Sequence, residues 1–271
     1  MKFIFRPLLY IISFPVFSRI YGRLTKLKNP KFLIKKIIRG FIKTYSINMD
    51  EYEGNIEDYD SLADIFIRKL DPAKRVLKPD SGCILSPADG IVSSIEFVKR
   101  DKAIQVKGVE YNISEFLNNE TDFSDGWYIT TIYLSPSNYH RYHFPVEGIV
   151  KGYCHMRGHL YPVNSLGLNN IKGLFIKNER IVLKMDTKDT EIYIAAVGAT
   201  FVGSVKMEFI DNYRRDNKWK PLSLKVEQLR EMGRFELGST IIMATPEKLG
   251  KPAANITGNP IRTGDILFKQ S

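Results

Sequence analysis

The sequence predicts an α+β chain in which basic amphipathic helices at the N-terminus precede a β-rich, mainly antiparallel sheet or barrel-like core with short helices. Three observations carry this. Near Cys83 the apolar spacing changes from the period of helices to the two-residue alternation of strands. Eleven of the 40 basic residues lie before Asp50, in a stretch without a single acid, so residues 50–271 hold 29 bases against 30 acids. The 271 residues are 44% hydrophobic and 26% charged with 19 Gly and 13 Pro, ordinary globular usage that excludes a disordered, collagenous or low-complexity chain. Two domains follow: a basic arm over 1–49 and a β-rich domain over 50–271.

The arm comes first. Its longest uncharged run, Pro7 to Ser18, would make a helix of ~18 Å against a hydrocarbon core of ~30 Å, too short to span. Pro15 interrupts it, and Ser18-Arg19-Ile20 offers no small-residue cleavage site for a signal peptide. Lys31, Lys35, Arg39 and Lys43 then recur every four residues, with Leu33, Ile34, Ile37, Ile38, Phe41 and Ile42 opposite. That is a cationic amphipathic helix, suited to lying at an anionic membrane surface, where each cation contributes on the order of 1 kcal/mol. The bland alternative is a helix packed on the protein's own core with a solvated basic face. A nucleic-acid binder would spread its cations over a folded face, so no nucleic-acid partner is expected.

Asp50–Asp60 is acidic and reads as a linker. Ser61 is a good N-cap for a short helix with Leu62, Ile65, Phe66 and Leu70 on one face. Strands are predicted over Ile91–Val98, Ala103–Val106, Trp127–Leu134, Gly148–Cys154, Arg180–Met185, Glu191–Val197, Phe201–Phe209 and Ser239–Met243, with a short helix at Ile113–Leu117. Cys83 and Cys154 make no disulfide framework, and a reducing compartment is the default.

All four histidines, His140, His143, His155 and His159, fall within twenty residues. As metal ligands they lack cysteine support, since no CxxC exists, and no metal is expected. As a general base, one of them suits proton transfer near neutral pH. Laid against a sheet face they would have no chemistry at all. Asp89 in Ser86-Pro87-Ala88-Asp89-Gly90 and Ser239 after Gly238 are each commonplace turn residues when taken alone.

Taken together, in the order Asp89, His143, Ser239, these segments resemble the phosphatidylserine decarboxylase family over nearly the whole chain. The matching text is SPADG at 86–90, YLSPSNYHRYHFP at 133–145, KNERIVL at 177–183, VGATFVGS at 197–204 and EMGRFELGST at 231–240. Phe66-Ile67-Arg68 is similar to the family's Phe-Phe-x-Arg with one substitution, and Leu-Gly-Ser-Thr resembles the bacterial self-cleavage motif. Met156-Arg157-Gly158-His159 departs from the family, which more often has Pro-Gly there.

The resemblance implies a self-processing carboxy-lyase. Gly238 lets the backbone bend so that the Ser239 hydroxyl reaches the Gly238 carbonyl. His143 takes the serine proton, Asp89 orients its ring, and an N-to-O acyl shift with β-elimination leaves chains 1–238 and 239–271, which stay associated. Ser239 becomes a pyruvoyl cofactor. Its Schiff base with phosphatidylserine in an anionic membrane releases CO2 and gives phosphatidylethanolamine. His140 helps substrate positioning or proton return, with the division between His140 and His143 left open. The implied location is peripheral, on the cytoplasmic face of the cell membrane. The oligomeric state stays open, a homodimer included. Two alternatives stand beside this: an Asp-His-Ser serine hydrolase, which would lack the G-x-S-x-G elbow around Ser239, and a non-enzymatic lipid-binding module.

Overall fold

A computed structural model describes residues 7, 9–98, 100–104, 110–118, 123, 126–200, 205–210, 214–236 and 239–269. Its centre is an antiparallel sheet of eight strands, for which the elements needed are β1 (Gly90–Phe97), β2 (Trp127–Leu134), β3 (Arg141–His143), β4 (Gly148–Met156), β5 (Arg180–Asp186), β6 (Glu191–Val197), β7 (Val205–Met207), β8 (Trp219–Val226), β9 (Glu231–Phe235), β10 (Ser239–Pro246) and β11 (Pro260–Ile261). The sheet order is β8-β4-β5-β6-β10-β2-β1-β11, which leaves two edges and does not close into a barrel, while β7-β9-β3 form a second, three-stranded sheet.

Both faces of the large sheet are covered. Ile241 and Met243 of β10 join Ile132, Leu134, Ile181 and Ile194 in one core, and Ile242 and Ala244 join Tyr193, Val197 and Phe116 in another. All eight residues of β10 are therefore buried, and its sequence is a continuous apolar run instead of an alternation.

Helix α1 (Pro15–Thr25) and helix α2 (Lys31–Thr44) form the arm. On α2 the apolar stripe divides. Ile34 and Ile38 are buried against Tyr52, Ile65 and Tyr139, whereas Phe32, Leu33 and Ile37 face solvent. The acidic stretch after it is docked instead of acting as a free linker: Glu57 pairs with Arg39 at 2.6 Å, Asp60 with Lys28 at 3.1 Å, and the Tyr59 carbonyl accepts from Lys35. Opposite charges at the two ends of one connection draw it onto the helix. Helix α3 (Leu62–Phe66) starts where expected, with Ser61 Oγ accepting from the Asp64 amide, but ends before Leu70, which bridges to Tyr52. Among the described residues no helix is long and apolar enough to cross a membrane.

The strands over Trp127–Leu134 and Glu191–Val197 and the helix at Ile113–Leu117 match their expected bounds. Ala103–Val106 is corrected to Lys102–Ile104 as far as it is described, and of Phe201–Phe209 the described part has strand over Val205–Met207 and a turn at Glu208 and Phe209, residues 201–204 lying outside the described residues.

Candidate active site

Ser239 is the first residue of β10, paired with Leu134 of β2. The strand it heads runs between β2 and β6, with pairing to β6 beginning at Thr240. The side chain is fully buried and its Oγ has no hydrogen-bond partner among the described residues. A buried hydroxyl without a partner costs about 1–3 kcal/mol, so such a group is either strained or reserved for chemistry. Gly238 and Leu237 lie outside the described residues. Just upstream, Glu236 accepts from Lys26 at the end of α1 at 3.0 Å, so the arm touches the segment leading to Ser239.

Asp89 sits in the turn before β1. Its neighbour Gly90 is required by close approach: a Cβ there would lie 2.4 Å from the Tyr133 carbonyl oxygen. The Asp89 carboxylate accepts from both terminal nitrogens of Arg75 at 2.7 Å, and from the Thr263 amide and hydroxyl at 2.8 and 2.9 Å. Burial alone would raise this carboxyl, but the Arg75 charge and the Thr263 donors outweigh it and hold it below the usual range.

His140 lies just before β3 and His143 ends it, and the Asp89 charge reaches both. The His143 Nδ1–H donates to the Leu229 carbonyl at 2.8 Å, which leaves Nε2 to accept from the Tyr139 hydroxyl at 3.1 Å. Burial pushes its pKa down, partly opposed by the Leu229 carbonyl and the Asp89 charge. His140 is fully buried, with Nδ1–H donating to the Asn138 carbonyl at 2.8 Å and Nε2 without a partner. Burial first, and then the nearby Arg68 charge, push its pKa down to about 3, so the ring is neutral.

The Asp89 charge reaches His143, and Ser239 and the Asp89 turn both lie against β2, but among the described residues no hydrogen bond links any two of the three. The other two histidines lie elsewhere. His155 pairs with Glu179 at 3.0 Å, and His159 meets Ser13 Oγ at 3.1 Å beside the Tyr10 and Phe14 rings of the arm. Among the described residues no three His, Cys, Asp or Glu side chains converge as a metal site.

Two cavities of about 370 Å³ flank the centre. The first, apolar, runs under the arm between Tyr21, Phe41, Phe66 and Tyr133. Phe66 presents an edge to the His140 ring, 5.3 Å between centroids. The second opens on His143, Tyr139, Arg75 and Glu231 beside Leu70, Val76 and Leu77. Arg75, Thr263 and Tyr139 were not expected from the sequence. Their partners are up to 174 positions distant, and no periodicity reports such contacts.

The phosphatidylserine decarboxylase family matches residues 62–269. The chain is 33% identical over 248 residues to the phosphatidylserine decarboxylase proenzyme of Myxococcus xanthus, covering 88% of each chain. It is 36% identical over 236 residues to that of Brevibacillus brevis, covering 83% of each. With that of Saccharophagus degradans it shares 35% over 278 residues, covering 97% of this chain and 96% of the other. Fold, buried site and relatives together define a carboxy-lyase. Within that class, the chain belongs to the phosphatidylserine decarboxylase family.

Proposed function

We propose that this chain is the proenzyme of a pyruvoyl-dependent decarboxylase that converts phosphatidylserine into phosphatidylethanolamine at a membrane surface. The observation that carries the reading is the Ser239 hydroxyl, buried at the head of a central strand and without a partner among the described residues. Its backbone pairs with Leu134 of β2, and pairing with β6 begins one residue later at Thr240, so its position depends on no flexible side chain.

In self-processing, Ser239 Oγ attacks the Gly238 carbonyl carbon and the peptide nitrogen leaves as the amine of residue 239 while the ester forms; elimination with loss of the Cα proton then opens the chain between 238 and 239, and water hydrolyses the resulting dehydroalanine to the keto acid with release of ammonia. The proton on Oγ passes to His143, whose Nε2 must first exchange the Tyr139 hydroxyl for Ser239. Asp89, held ionised by Arg75, stabilises the imidazolium so formed. A pyruvoyl group at position 239 fits the site, because a residue there starts a strand whose remaining length is locked in the core. When formed, that group supplies an electrophilic carbonyl that takes the substrate amine and draws off the electron pair left by departing CO2. His140, whose bare Nε2 can take a proton from the substrate amine, returns it to the substrate carbon, with Phe66 against its ring.

The arm supplies the lipid contact. Val16, Phe17, Ile20, Leu24 and Leu27 are exposed along one stripe, with Phe32, Leu33 and Ile37 exposed on α2 among Lys31, Lys36 and Lys43. Such a surface gains from both apolar burial and anionic headgroups, which supports a peripheral enzyme on the cytoplasmic face of the cell membrane. Intact-mass spectrometry tests the reading: the purified protein should give a 33-residue C-terminal piece, 239–271, with a blocked, carbonyl-bearing N-terminus. It should release CO2 from phosphatidylserine vesicles, and Ser239→Ala should remain one inactive chain. A whole wild-type chain with a free Ser239 overturns it.

A further inference from the structure

Arg68 is only 2% exposed, yet among the described residues no carboxylate lies within ion-pair distance of it. A buried guanidinium without a counter-charge is costly unless its donors are taken up. Here Nη1 donates to the Ile65 carbonyl at 2.8 Å, and Nη2 lies 2.7 Å from the Ser137 carbonyl, 2.8 Å from the Asn138 carbonyl and 3.2 Å from the Tyr52 hydroxyl. The Tyr52 ring lies beneath the guanidinium, 4.3 Å from its carbon. The cation is held by dipoles and a ring face alone.

One of those dipoles is shared. The Asn138 oxygen that accepts from Arg68 Nη2 also accepts from His140 Nδ1–H, both at 2.8 Å. A carbonyl can bond only a protonated Nδ1, so a fixed Asn138 carbonyl selects the tautomer in which Nε2 carries a lone pair. That Nε2 is buried and without a partner.

We propose that Arg68 is the positioning residue of His140: by clamping the Ser137 and Asn138 carbonyls it fixes the imidazole in one tautomer, with Nε2 bare and ready to exchange a proton. Arg68 touches neither Ser239 nor the reacting atoms and acts through the loop. Its charge also opposes protonation of the ring, on top of burial and against the opposing pull of Asp89 and the Asn138 bond. Lysine cannot replace it fully, because one ammonium does not offer a planar fork to carbonyls lying on both sides. The inference deepens the reading of His140 as the proton carrier and rests on it for its consequence in catalysis, but its geometric content is independent of the reaction.

The test is side-chain nitrogen NMR of the four histidines in the full-length protein, with His140 assigned from a His140→Gln variant. The wild type should show His140 as a single neutral tautomer protonated on Nδ1. In folded Arg68→Met, whose apolar side chain approximates the length of the arginine stem, the ring should become a mixture of tautomers. In the processed enzyme kcat should fall on the order of 100-fold at unchanged KM, as expected for a catalytic group misplaced by about 1 Å. Arg68→Lys should recover part of both. If Arg68→Met does not fold, Arg68→Lys is judged by the same nitrogen signals. His140 signals identical to wild type overturn the inference whatever the activity does. Altered signals in a protein that never releases CO2 support it while overturning the decarboxylase reading.

Discussion

Arg75 and Asp89, fourteen positions apart, meet as a bidentate ion pair with both bonds at 2.7 Å and with side chains only 8% and 11% exposed. The pair occupies the carboxylate that the sequence assigns to His143, and makes Asp89 an anion whose charge reaches both site histidines through space. Breaking it from one side leaves a buried charge. Asp89→Ala in a Ser239→Ala background, which keeps the chain whole, should therefore lose about 3–5 kcal/mol of stability in urea unfolding. Adding Arg75→Ala should cost less than the sum of the single changes, because the orphaned guanidinium is removed with its partner.

The buried histidines set an acid limit to stability. His140 is depressed to about 3 in the folded protein against ~6.5 unfolded, so below pH ~6.5 the unfolded chain binds the extra proton. Stability is then lost as pH falls, with a slope of about 1.4 kcal/mol per pH unit for this one group. His143 is shifted in the same direction and adds to it. Urea unfolding of Ser239→Ala between pH 7.5 and 5 should show the slope, and a further His140→Gln change should reduce it.

Gly90 is a steric requirement of the Asp89 turn. An alanine methyl would meet the Tyr133 oxygen at 2.4 Å and the Ile132 side chain at 2.9 Å, both on β2. Since β2 also pairs with Ser239, the strand would have to move at the site itself. Gly90→Ala should cost about 1–3 kcal/mol in thermal or urea unfolding and slow chain cleavage.

The two faces of α2 should separate in mutagenesis. Ile38 is fully buried, and Ile38→Ala should cost about 2–5 kcal/mol of stability. Phe32 is 77% exposed, so Phe32→Ser with Ile37→Ser should leave the melting temperature nearly unchanged yet weaken sedimentation with anionic vesicles several-fold.

Elements with strong side-chain patterns were legible from the sequence, and contacts between distant segments were not. Trp127–Leu134 and Glu191–Val197 are dense in β-branched and aromatic residues because they lie inside a sheet covered on both faces. Trp219–Val226 carries no such pattern: it is an edge strand containing Pro221 in which Val226 alone is buried, so no buried run announces it. Glu231–Phe235, short and containing Gly233, was read only as part of a motif. Asp89, His140, His143 and Ser239 were legible from the resemblance, but what holds them was not. Arg68 stands beside Lys69 among Leu62, Ile65, Phe66 and Leu70, and no pattern in the sequence distinguishes the buried cation from the exposed one.

β10 is hydrogen-bonded along eight residue pairs to β2 and five to β6, so a cut in front of Ser239 severs the chain at the mouth of a seam that stays stitched on both flanks. The short fragment cannot trade places with another copy without opening the middle of the molecule. On the proposed cleavage, each active centre would be made once, from one translated chain, and would last as long as that molecule does. A damaged cap at position 239 would then be beyond repair by exchange, and lost activity would return only through new synthesis.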